Sequence, residues 1–215
     1  MERSNYKLNN SGVIFIYIYF LAGVLWHLLD FSHTIVLYLT PYTLFIASIL
    51  VIYFGNKKIE IKLISWLFGT FIFTMLIEIL GVKSGSIFGN YSYGSILGLK
   101  YCDVPIVIGI NWTIVIYGLY TISDKIISQS IILKSFLVGV MAVLFDLILE
   151  PVAVKLNYWN WQSVTIPVQN YLSWFLISAG VSFIGAKVKL NTDNTLVIHY
   201  LFAQYLFFFL LLVFI

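Results

Sequence analysis

Long apolar runs, broken by short polar stretches, set the rhythm of this chain. An apolar run of about 20 residues crosses the hydrocarbon core of a bilayer as a helix. Seven such runs are present: Val13–Leu29, Ile35–Phe54, Leu63–Leu80, Val104–Ile122, Ile131–Glu150, Val168–Ala186 and Thr195–Ile215. Their Ile, Val, Phe and Tyr content would also suit buried strands. Run length, and the lack of short alternating segments bounded by turns, favours helices. The pattern predicts an all-α polytopic transmembrane helix bundle of about seven spans, with residues 1–215 forming a single integral membrane domain. The first run does not read as a cleavable signal, because its charged lead is weak and no small-x-small site follows it.

Composition agrees with the pattern: 61% of the residues are hydrophobic, 18% aromatic and only 10% charged. A soluble domain carries far more charge. The net charge of +3 is spread over scattered lysines, and no basic run points to nucleic acid. The single cysteine, Cys102, excludes an internal disulfide and a cysteine-based metal cluster.

The connections divide by charge. Arg3, Lys7, Lys57, Lys58, Lys62, Lys125, Lys134, Lys187 and Lys189 fall on one side of the bundle, against Lys83, Lys100 and Lys155 on the other. The positive-inside tendency then places the N-terminus in the cytoplasm and the protein in the cell membrane as a multi-pass chain. Two long connections, Gly81–Asp103 and Pro151–Pro167, share the lysine-poor face and are rich in Gly, Tyr, Trp and Asn.

The unusual polar residues gather towards that same face. Glu78 lies near the end of the third run, and Asp146 and Glu150 lie near the end of the fifth. Asp30 closes the first run after Trp26 and His27. Asp103 opens the fourth, with Asn111 and Trp112 about two turns further in, and Asn170 and Trp174 begin the sixth. Carboxylates within spans are expensive and face the bundle interior or a wet cavity. Plainer readings exist for each residue. Tyr91, Tyr93, Tyr158, Trp159 and Trp161 suit an interfacial aromatic belt. Asp146 and Glu150, spaced i, i+4 on one helix face, could pair with lysine or backbone donors. Asp30, Asp103 and Glu150 are close enough to headgroups to be solvated, and Asn111 suits helix-to-helix contact. The stretch "HLLDFSH" puts His27, Asp30 and His33 at spacings of three, but His33 falls beyond the helix face and the chain has only three histidines. That is a poor ligand set, so no metal is expected. Phosphate-loop, nucleophile-elbow and haem-attachment motifs are absent as well, and no cofactor is expected.

Carboxylates, aromatics and water can still do chemistry. A carboxyl group in apolar surroundings holds its proton to higher pH and can act as a general acid. Given to an electron-rich alkene, that proton produces a tertiary cation, which Tyr and Trp faces stabilise. Water capture then gives an alcohol, and proton loss after ring closure gives a cyclised end.

Two blocks carry a resemblance. "EILGVKSGSIFGNYSYGSILGLKYCDVPIVIGINW" and "DLILEPVAVKLNYWNWQSVTIPVQNYLSW" resemble the membrane carotenoid-biosynthesis family that contains the carotenoid 1,2-hydratases, including those acting on bacterioruberin precursors. The shared features are a helix-ending Glu, a Gly-rich stretch with FGxYxY, a Val-Pro before a Trp-bearing span, an Asp-led span, a Trp-x-Trp pair and Pro-x-x-Asn-Tyr-x-x-Trp. Ile87 and Asn157 stand where the family pattern has proline and glycine. The resemblance implies a hydratase adding water to the terminal double bond of an acyclic carotenoid. Its partners would be the carotenoid, membrane lipid and other carotenoid-biosynthesis enzymes. On this reading Glu78 and Asp146 are the acid and the water-orienting group, in either order, with Glu150, Asp103 and His27 as further catalytic candidates. Asn111 and Asn170 hold the water, while Tyr91, Tyr93, Trp112, Trp159, Trp161 and Trp174 shape the substrate pocket. Gly85, Gly89 and Gly94 let the loop fold over the polyene end. A cyclase or isomerase sharing the cation, and a non-catalytic lipid-binding or transport protein, remain as alternatives.

Overall fold

A computed structural model describes residues 2–127 and 129–215, with side chains from Asn10 onward. The positions of Arg3 and Lys7, used for orientation above, therefore lie outside the described side chains. Seven long helices form: α1 (Glu2–Leu28), α2 (Asp30–Gly55), α3 (Ile61–Ser84), α4 (Ile106–Ile126), α5 (Ile131–Lys155), α6 (Val168–Lys187) and α7 (Thr195–Phe214). Short strands lie between them: β1 (Tyr91–Tyr93), β2 (Lys100–Tyr101), β3 (Val104–Pro105) and β4 (Trp159–Trp161). The chain is an all-α polytopic bundle. Among the described residues, six helices are long and apolar enough to cross a membrane. The exception is α6, which reaches 20 residues but turns the polar side chains Asn170, Ser178 and Ser182 inward.

The helix α4 is the axis of the bundle. It is packed by α3, α5, α7, α2 and α6, and Val115, Ile116 and Tyr117 are fully enclosed. A helix apolar all round belongs in a core. By contrast, α1 and α2 leave most of their apolar surface outward, as lipid-facing helices do.

The first connection differs from the expected one. Asp30 does not close the first span; it begins α2, and Leu29 alone separates the helices. Two effects account for this. A carboxylate favours a helix N-terminus. In addition, Ser32 Oγ donates to the Trp26 and Leu29 carbonyls and His33 Nδ1 lies 2.7 Å from the His27 carbonyl, serving the orphan carbonyls of the last turn of α1.

The two long connections meet. β1 and β4 pair antiparallel with Tyr91 opposite Trp161, Ser92 opposite Asn160 and Tyr93 opposite Trp159. Alternation along a strand sends Tyr91, Tyr93, Trp159 and Trp161 to one face, and that face looks into the bundle. α3 reaches this ribbon through Gly85, a left-handed cap (φ 62°) whose N–H bonds the Gly81 carbonyl at 2.9 Å. At the ribbon's edge the Gly94 N–H donates to the Tyr158 carbonyl at 2.9 Å. A Cβ on Gly94 would collide with the Asn157 carbonyl oxygen.

Gly94→Ala is therefore expected to destabilise the protein by about 1–3 kcal/mol, seen as a lower thermal midpoint in detergent. Gly69→Ala is its control, because a Cβ there meets nothing within 4 Å and alanine suits a helix interior better; its midpoint should hold or rise.

Candidate active site

Under the ribbon, α3, α4, α5 and α6 enclose a small recess. Its wall includes Glu78 from α3, Asn111 and Trp112 from α4, Asp146 and Glu150 from α5, and Asn170 and Trp174 from α6. The ribbon's Tyr91, Tyr93, Trp159 and Trp161 roof it. The free space is about 40 Å³, room for two or three waters at roughly 10–15 Å³ each.

All three carboxylates are buried, and no lysine, arginine or histidine lines the recess. A buried carboxylate needs donors to be tolerable, and here the donors are neutral. Glu78 Oε2 accepts from both the Tyr91 hydroxyl and, at 2.8 Å, the Tyr93 hydroxyl. Glu150 Oε2 accepts from the indole N–H groups of Trp159 and Trp161, each at 2.9 Å. One amide bridges the α5 pair: Asn170 Nδ2 donates to Asp146 Oδ2 at 2.6 Å and to Glu150 Oε1 at 3.1 Å. Glu150 thus has three donors and Asp146 has one. Burial first, and then the Glu78 charge, push both Tyr91 and Tyr93 phenols well above the ordinary range, so both stay protonated and remain donors. Tyr158 is likewise pushed up to about 12 by burial.

The inner wall is aromatic. Trp112 stacks on Trp174 with ring centroids 3.5 Å apart and planes 13° from parallel, and Phe88 covers Trp174's other neighbourhood at 5.3 Å. Asn111 accepts from Gln204 Nε2 at 2.8 Å. Among the described residues, no group of three or more His, Cys, Asp or Glu converges in a way that could hold a metal ion.

The structure thus gathers eleven of the expected residues around one space, and two candidates fall outside it. Asp103 is exposed in the two-residue turn between β2 and β3, where it and Cys102 take positive φ values of 68° and 48°; a short polar side chain tolerates that conformation. His27 is buried, but its Nδ1 is 2.7 Å from the Gly23 carbonyl and it borders a different cavity. Phe88, Tyr158 and Gln204 were not anticipated at or beside the site. A lone glutamine in the very apolar α7 was the one available signal for Gln204, and Tyr158 was read only as belt.

A family model described as carotenoid biosynthesis protein matches residues 35–215. The chain belongs to that family. The matched stretch takes in every residue that lines the recess. The chain is also similar to the bisanhydrobacterioruberin hydratase of Haloarcula japonica, being 32% identical over 109 residues, 46% of this chain and 36% of the relative. The match therefore spans little more than a third of that relative's length. No solved structure matches the chain. The apolar helices make this member of the carotenoid biosynthesis family a multi-pass membrane protein.

Removing neutral donors should register as instability. Trp161→Phe keeps the ring and deletes one hydrogen bond to Glu150, at a cost of about 1–3 kcal/mol. Asn170→Leu should cost more, since two carboxylates lose a partner together. Chemical denaturation in detergent checks the order; equal losses would show that the shared amide carries no special weight.

Proposed function

We propose that the protein is a carotenoid 1,2-hydratase of the cell membrane, adding water across the terminal double bond of an acyclic end group. The observation that carries the reading is the convergence of Glu78, Asp146 and Glu150 in a small recess walled by aromatic rings and lined by no basic side chain, in a chain of the carotenoid biosynthesis family. The name of the Haloarcula relative supports hydration over the cyclase and transport alternatives.

Asp146 is assigned the acid. Two carboxylates sharing one amide coexist when one of them keeps a proton, and Glu150, with its three N–H donors, is the better-solvated anion. The Asp146 O–H bond breaks as a C–H bond forms at C2, leaving a tertiary cation at C1. The aromatic faces and the fixed Glu150 charge stabilise it. A water held by Glu78 adds its oxygen to C1 and passes a proton to Glu78. Transfer of that proton to Asp146 restores the acid, and the balance is one water gained with no redox change. Tyr91 and Tyr93 orient Glu78 throughout.

In cells supplied with lycopene, the product should be heavier by one water. Asp146→Asn and Glu78→Gln should each lower alcohol formation by about 10²–10⁴-fold. In D₂O, Glu78→Gln should still exchange deuterium into the terminal alkene, whereas Asp146→Asn should not. An isomeric product would identify a cyclase or isomerase, and full activity in both variants would refute the assignment.

A further inference from the structure

A recess with room for only a few waters cannot itself hold a hydrocarbon chain, so the chain must lie in adjoining space. Such space exists on one side. Between α1, α2 and α7 is a cavity of about 220 Å³, and Leu44, Tyr158 and Phe208 line both it and the recess. Tyr19 and Phe20 connect this cavity in turn to a groove of about 860 Å³ between α1 and α2, which runs as far as Gly55 and Asn56. α2 borders the row from Val36 to Gly55, roughly 30 Å at 1.5 Å per residue, which is about the thickness of the hydrocarbon core.

Three features set this row apart from loose packing. Protein interiors are close-packed, with few voids larger than a water, yet here three open spaces lie end to end. Small residues, Ala22, Gly23 and Ala47, stand along it where larger ones would close it. Finally, His27 Nε2 and Gln204 Oε1 are buried without a protein partner, and both side chains line the middle cavity. Buried polar atoms of this kind take water as partner rather than a hydrocarbon, so the middle cavity has a use for water beside the chain. Gln204 also reaches the recess, through its bond to Asn111.

We propose that this row is the seat of an extended acyclic polyene. Its terminal alkene is presented to Asp146 past Leu44, Tyr158 and Phe208, and its chain lies between α1 and α2 towards the opposite end of the bundle. The end-group chemistry rests on the hydratase reading; the seat itself is a binding claim and is tested by binding.

The test uses full-length protein in detergent, in the Glu78→Gln background so that ligand is not consumed, with lycopene and its shorter homologue diapolycopene as probes. Binding is read from the induced circular dichroism of the polyene band. Ala22→Trp, next to the recess, should weaken both probes by about tenfold or more. Ala47→Trp, in the groove about one helical turn beyond Leu44, should weaken both by a similar factor. Because a tryptophan could disturb the helix pair, a second measurement uses Ala22→Cys and Ala47→Cys after replacing the exposed Cys102 by serine. Bound lycopene should slow labelling of both cysteines by a small apolar thiosulfonate. Unchanged binding in both tryptophan variants with unprotected cysteines, or no polyene bound to the unmodified track, overturns the proposal. The expected pattern with an isomeric product removes the hydratase and leaves the track, whereas alcohol formation unaffected by either tryptophan removes the track alone.

Discussion

Three carboxylates buried together without a basic side chain beside them are the constraint around which this molecule is arranged. Charge taken out of water is costly unless its hydrogen-bonding capacity is met, and no basic side chain is at hand to meet it. The protein answers with hydroxyl, indole and amide groups. Tyrosine and tryptophan are suited to this task because each carries a broad apolar ring and one polar handle. In the strand pair β1–β4 the rings build the roof while the handles reach down to Glu78 and Glu150. The same side chains therefore close the recess to bulk solvent and keep its acids in place.

That arrangement explains why the two ends of the bundle differ. The recess end is tied by loop strands and acids. The other end is tied by amides: the Tyr117 hydroxyl donates to Asn56 at 3.0 Å, and Asn194 caps α7 while its amide reaches the Val51 carbonyl. Between the two ends α4 runs buried nearly throughout, so each end is referenced to one stiff element. α1 packs on α7, α2 packs on α4 and α7, and the two are joined to each other by a one-residue turn.

Much of the site was legible because a membrane makes polar residues conspicuous. Glu78, Asp146, Glu150 and Asn170 stand out from apolar surroundings, and an expensive group implies a partner. The helices were legible for the same reason, from run length alone. Pairings between distant segments were not. Nothing local to Tyr91 announces that it will sit opposite Trp161, with two helices in between. Asp103 reads as an acid opening the fourth span and a further catalytic candidate, but its position is set by a tight turn two residues long. His27 lies at the expected depth but faces the neighbouring cavity, a matter of helix rotation that spacing did not fix. The run Val168–Ala186 reads as a span like the others, yet α6 turns a polar face inward and packs chiefly on α5.

The ribbon also has a consequence for how the chain is made. The ribosome delivers each acid before the groups that will satisfy it: Glu78 before Tyr91 and Tyr93, and Asp146 and Glu150 before Trp159, Trp161 and Asn170. A lone acid at the middle of a span raises the free energy of insertion by about 2.5–3.5 kcal/mol. Placement of Glu78 and Glu150 near the trailing ends of α3 and α5 lets these two wait near the headgroup level until their donors emerge, whereas Asp146 sits deeper in α5. The roof of the recess cannot form until β4 has been made and has found β1.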